Sequence, residues 1–204
     1  MTPRERLTLG AGITALAIGV GIASCPHTPA GRPVAPEADR QSLIRSQAVE
    51  TWTRLDEIVR PCDAAVAAAG TATPPPSDPR VPPGPARDAG ARCRSASLRL
   101  LGLKPAAEFD GAAHGEIGRA LERCQFLYAV EGNAHVRLAT ALEAAGASPV
   151  LDKRALFEAW AEAQEADIAA LGCRIGVMAA ARGAGLPIDL FRSAAGAPTA
   201  KAGA

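Results

Sequence analysis

The chain has 204 residues, with 22 Lys and Arg against 21 Asp and Glu and a formal net charge of +1. That balance carries no basic block and no interleaving of aromatic with basic side chains, so it gives nucleic acid no electrostatic footprint and excludes it as a partner. Phe, Trp and Tyr together number only seven, so the core has to be filled by Leu, Ile, Val and Ala, which favours helices in close approach.

The N-terminus reads as a charged start (Arg4, Arg6), an apolar run from Thr8 to Ala23, and the box Ile22-Ala23-Ser24-Cys25. It resembles a bacterial lipoprotein signal peptide, residues 1–24. The resemblance implies lipid on Cys25 and a membrane-anchored protein exported to the cell envelope. Pro26, not Asp, follows the cysteine, which under the same resemblance points to the outer membrane facing the periplasm. Two other outcomes stay open. The 17 residues from Thr8 to Ser24 would form a short uncleaved anchor, or ordinary cleavage would release a secreted protein. Residues 1–24 hold Arg4, Glu5 and Arg6, so the mature chain of 180 residues keeps 20 basic and 20 acidic side chains and is formally neutral.

Residues 25–38 contain Pro26, Pro29, Pro33 and Pro36 and read as an extended stalk. A helical domain, residues 39–183, follows. Its first helix spans 39–69, with Ile44, Ala48, Trp52, Leu55, Val59, Cys62, Val66 and Ala69 on one stripe and a break or kink expected near residues 57–60, ahead of Pro61. Residues 71–85 form a proline-rich loop. A short second helix, 85–103, places Ala89, Cys93, Ala96, Leu100 and Leu103 on one side, and Pro105 closes it. The third helix, 112–145, carries Ile117, Leu121, Cys124, Tyr128, His135, Leu138 and Leu142 inward. Ser148-Pro149 reads as the cap and first residue of a fourth helix. Its apolar stripe is Phe157, Trp160, Ile168, Leu171, Ile175 and Met178, and it ends at Gly183. Residues 184–204 read as a flexible tail. No β-alternation and no internal repeat occurs.

Cys25 apart, four cysteines allow three pairings, and depth along the helices selects one. Cys62 and Cys93 lie about 10 to 12 Å from the first inter-helix connection, while Cys124 and Cys173 lie about 32 to 36 Å from the second, at 1.5 Å per residue. Bridged Cα atoms reach only about 4.4 to 6.8 Å. The expected bridges are therefore Cys62 to Cys93 and Cys124 to Cys173, and export to an oxidising compartment favours disulfides over metal ligation. No C-x-x-C pair or zinc spacing occurs.

One polar constellation stands out. Tyr128, Glu131 and His135 share a face at steps of three and four, and the hairpin brings Gln164 and Asp167 alongside. It reads either as a polar pocket for a cation or small ligand or as a hydrogen-bonded core histidine. The Glu-x-x-His repeats of di-iron bundles are absent. So is a C-x-x-C-H haem attachment, and no Gly-x-Ser-x-Gly elbow supports a nucleophile. Trp52 and Trp160 read as core filling, His114 as exposed, and Arg119, Glu122 and Arg123 as a solvated face.

The expectation is an all-α, antiparallel up-down four-helix bundle with two intra-hairpin disulfides. The expected role is an envelope binding or scaffolding protein with an envelope protein partner, no catalytic centre and no cofactor. The alternative is a metal- or small-ligand-binding bundle.

Overall fold

The computed structural model describes residues 37–72, 81–107, 109, 111–148 and 152–186, the side chains of 71 and 72 excepted. The leader, Cys25 and the stalk to residue 36 lie outside them, as do residues 73–80 of the loop and 187–204 of the tail. Four helices fill nearly all of the rest: α1 (Glu37–Ala72), α2 (Gly84–Leu100), α3 (Gly111–Ala147) and α4 (Lys153–Gly183). They form an all-helical bundle, with no strand among the described residues. None of the described helices is long and apolar enough to cross a membrane.

Close packing runs in chain order, α1 on α2, α2 on α3 and α3 on α4. The disulfides Cys62–Cys93 and Cys124–Cys173 each join two consecutive helices, both with Cα atoms 4.6 Å apart, as the depth argument requires. The inward stripes of α1, α2 and α3 are those read from the sequence. Trp52, Leu55, Val59, Cys93, Leu100, Ile117, Leu121 and Tyr128 are all buried in one cluster.

Several expectations change. First, α1 begins at Glu37, so residues 37 and 38 belong to the helix rather than the stalk; Glu37 and Asp39 sit in its first turn, where carboxylates complement the helix dipole. Second, α1 runs unbroken through Pro61. Pro61 and Glu57 both face solvent, so water can satisfy the Glu57 carbonyl that loses its donor. Third, Ser148 does not open α4; its N–H bonds back to the Ala144 carbonyl at 3.1 Å, extending the end of α3. Asp152 is the cap, accepting from the Ala155 N–H at 3.0 Å. Pro149 lies outside the described residues.

The fourth change concerns α4, which turns a different face inward. Leu156, Ala163, Ala166, Ala170, Cys173, Val177 and Ala181 are buried, whereas Phe157, Ile168, Leu171 and Ile175 are exposed. The disulfide fixes Cys173 inward, and alanines on its side let α4 approach α3 closely; the heavier stripe is rotated out. Trp52 and Trp160 accordingly sit in separate clusters. α2 ends at Leu100, short of 103, and the turn after it buries Leu103 and Phe109. The tail also packs at its start, for Leu186 is buried beside Trp52 and Phe109.

Candidate functional site

α1 and α4 are held apart, and long side chains span the gap. Asp56 and Asp63 lie two turns apart on α1, and Arg174 of α4 reaches both: Nη2 donates to Asp56 Oδ1 at 2.7 Å and Nη1 to Asp63 Oδ2 at 2.6 Å. Burial alone would raise the Asp56 carboxyl, but hydrogen bonds from Arg60 and Arg174 outweigh it and hold Asp56 below the usual carboxylate range. Burial likewise opposes the Arg174 charge, and the paired carboxylates of Asp63 and Asp56 overcome it.

Beside this brace lies a cleft of about 320 Å³ between α1 and α4, floored by α3 and lined by Asp63, Tyr128, Glu131, Gln164, Asp167 and Arg174, with Val66, Ala67, Ile168 and Leu171 among its apolar walls. Tyr128 donates its hydroxyl to Asp63 Oδ1 at 2.9 Å. Its burial, then the Asp63 charge and that hydrogen bond, keep the phenol protonated well above its ordinary range.

Glu131 is the unusual group. It is 3 % exposed, and burial, followed by the charges of Asp167 and Asp63, pushes its carboxyl up to about 9. At neutral pH it is an uncharged acid. Its Oε2 lies 3.2 Å from Cys62 Sγ; a disulfide sulfur carries no proton, so the carboxyl O–H donates to the sulfur lone pair. The neutral state and this contact explain each other.

His135 does not line the cleft. It is 2 % exposed, and its Nε2–H donates to Asp167 Oδ1 at 2.7 Å. That bond leaves Nδ1 buried with no hydrogen-bond partner among the described residues. Of the five residues expected to form a polar pocket, Tyr128, Glu131, Gln164 and Asp167 share the cleft and His135 stands behind Asp167.

Sequence reading missed Asp56, Asp63 and Arg174. Their signal is faint: two carboxylates seven residues apart on α1, and an arginine next to the bridged Cys173. It also missed the contact between Glu131 and Cys62. Cys62 lies 10 residues before the end of α1 and Glu131 lies 16 before the end of α3, so α3 extends past the end of α1 by about 9 Å.

Among the described residues, one group offers donors close enough for a metal ion: Cys62, Cys93 and Glu131, with ligand atoms within 4.8 Å of one another. The sulfurs are joined to each other, and a disulfide offers no thiolate, so this group has metal-binding chemistry only when reduced. No protein family, curated protein or solved structure matches the chain.

Proposed function

We propose that this protein is a ligand-binding helical bundle that takes a small organic cation into the α1–α4 cleft. One observation carries the reading: Glu131 is buried as a neutral acid facing the charges of Asp63 and Asp167, while the cleft's arginine is already committed to Asp56 and Asp63. An arriving cation lets Glu131 ionise, replacing repulsion among carboxylates by attraction to the ligand. The walls of Val66, Ala67, Ile168 and Leu171 suit an ammonium carrying a short apolar chain. A groove lined only by Leu and Ala would have favoured pure protein scaffolding; converging carboxylates favour a ligand.

The test is calorimetric titration with alkylamines and their neutral isosteres. Cationic members are expected to bind with release of about one proton near pH 7, and Glu131→Gln is expected to abolish that release. Neutral isosteres that bind as well as the amines, or no binding across the series, would refute the reading.

The donor group at Cys62 supports a second reading. After reduction by a dithiol, which takes the two sulfurs to thiols, Cys62, Cys93 and Glu131 supply three ligands for a thiophilic divalent ion. Zinc binding by reduced protein, absent from oxidised protein and weakened at least tenfold in Glu131→Gln, is the expected pattern.

We read the protein as a binder rather than an enzyme, exported and held at the cell envelope, in the outer membrane facing the periplasm, by lipid on Cys25. Mass spectrometry of the protein from its host is expected to find lipid-modified Cys25 as the first residue; a chain still beginning at Met1 would exclude cleavage.

A further inference from the structure

A second cleft, of about 650 Å³, lies between the last turn of α2, the turn that follows it and the first turns of α3, and shares no lining residue with the α1–α4 cleft. Its floor is apolar, for Leu100, Leu103, Pro105 and Leu121 line it and are buried. Its wall on α3 runs from His114 to Gln125, about 16 Å of helix at 1.5 Å per residue. Basic side chains from two segments enter it. Lys104 comes from the turn, next to Pro105, whose ring lies 3.6 Å from where a Cβ on Gly118 would stand. Arg119 folds its guanidinium back along α3, with Nη1 3.6 Å from the corresponding point on Gly115. His114 Nδ1 lies 3.1 Å from the Ala106 carbonyl oxygen; a carbonyl only accepts, so Nδ1–H donates and Nε2 is left without a partner among the described residues.

These charges are not spent inside the bundle. Arg60, Arg87, Arg137 and Arg174 each hold a carboxylate, whereas Lys104 and Arg119 hold none among the described residues. Glu122 is the one acidic residue of the lining. It lies three residues beyond Arg119, a spacing that brings helix side chains together, and the two still make no ion pair. The glycines point the same way. Both 3.6 Å contacts are ordinary in length, so packing does not demand glycine at 115 or 118, and alanine would make the better helix. Bare backbone there leaves the wall open to close approach by a ligand.

We infer that this cleft binds an organic phosphate carrying a single apolar chain, with the phosphate held by Lys104, His114 and Arg119 and the chain laid over Leu100, Leu103 and Leu121. An ammonium, a guanidinium and an imidazole suit a head with three terminal oxygens better than a planar carboxylate with two. Inorganic phosphate would leave the apolar floor wet, and a neutral chain would leave the basic groups unpaired, so head and chain are needed together. The volume is that of a small-molecule site. This inference does not depend on the cation reading.

The test is calorimetric titration of the full oxidised chain with octyl phosphate below its micelle concentration, in buffer free of detergent. One site per chain is expected, with octanol and inorganic phosphate each weaker by about tenfold or more. Arg119→Gln and Lys104→Gln replace exposed side chains, so helicity and Tm should hold while octyl phosphate binding weakens by about tenfold. Gly115→Leu places a side chain in the cleft and is expected to abolish binding without loss of helicity. Phosphatidylcholine vesicles doped with lysophosphatidic acid identify the source: retention that Arg119→Gln lowers marks a membrane lipid, response to octyl phosphate alone marks a free ligand, and each supports the site. Octanol or inorganic phosphate binding as tightly as octyl phosphate overturns the inference. So does the lack of saturable binding, or binding indifferent to Arg119→Gln and Gly115→Leu.

Discussion

Gly90 and Gly132 stand against each other where α2 crosses α3. A Cβ on Gly90 would come within 2.6 Å of the Val136 side chain and 3.0 Å of the Gly132 carbonyl, and a Cβ on Gly132 within 2.8 Å of the Arg94 backbone nitrogen. The crossing is close enough that only glycine fits. Two effects of opposite sign therefore compete in Gly132→Ala: helix propensity gains about 0.5 to 1 kcal/mol, and overpacking against backbone costs about 1 to 3 kcal/mol. The expected result in urea unfolding is net destabilisation. Gly172→Ala, with open space around it, is expected to stabilise by up to about 1 kcal/mol.

Glu131 makes stability depend on pH with a definite sign. Its folded value near 9 lies above its unfolded value near 4.5, so its contribution is fully present below about pH 4.5 and is lost as pH rises, the loss completing near 9. At pH 7 the cost reaches on the order of 3 kcal/mol. Glu131→Gln is expected to be the more stable protein at pH 8 and to lose that advantage at pH 4. Parallel stability curves for the two proteins would contradict the buried neutral acid.

The two disulfides close loops of 31 and 49 residues, for which chain entropy assigns about 4 kcal/mol each. Cys124→Ala with Cys173→Ala is expected to lower Tm by roughly 8 to 16 °C in a domain of this size, measured by calorimetry on the otherwise oxidised protein.

Arg174 is the brace between α1 and α4. Its bonds to Asp56 and Asp63 are short and charge-assisted, and it is about one-third exposed, so solvent screening limits their worth. A double-mutant cycle of Asp56→Asn with Arg174→Met is expected to return a coupling of about 1 kcal/mol. A coupling indistinguishable from zero would mean the brace is dispensable.

Much of the bundle was legible before any coordinates. Proline and glycine punctuation bounded the helices to within a few residues, and the stripes of α1, α2 and α3 each contain a cysteine that agrees with their apolar periodicity. On α4 the two signals disagree. The heavier apolar row and Cys173 lie on different faces, and hydropathy alone pointed to the wrong one. The pocket was half legible: helical spacing puts Tyr128 and Glu131 on one face and hairpin depth brings up Gln164 and Asp167, but nothing local in α1 announces that Asp56 and Asp63 face them.

The helices, their chain-order packing and the pairing of four cysteines follow from the chain alone, because periodicity, breaker residues and the rise per residue are local quantities that set depth along a hairpin. How far one hairpin slides against the other emerges in the folded bundle. That offset of about 9 Å between the ends of α1 and α3 depends on how side chains of different helices pack, which no local pattern encodes, and it lays Cys62 beside Glu131.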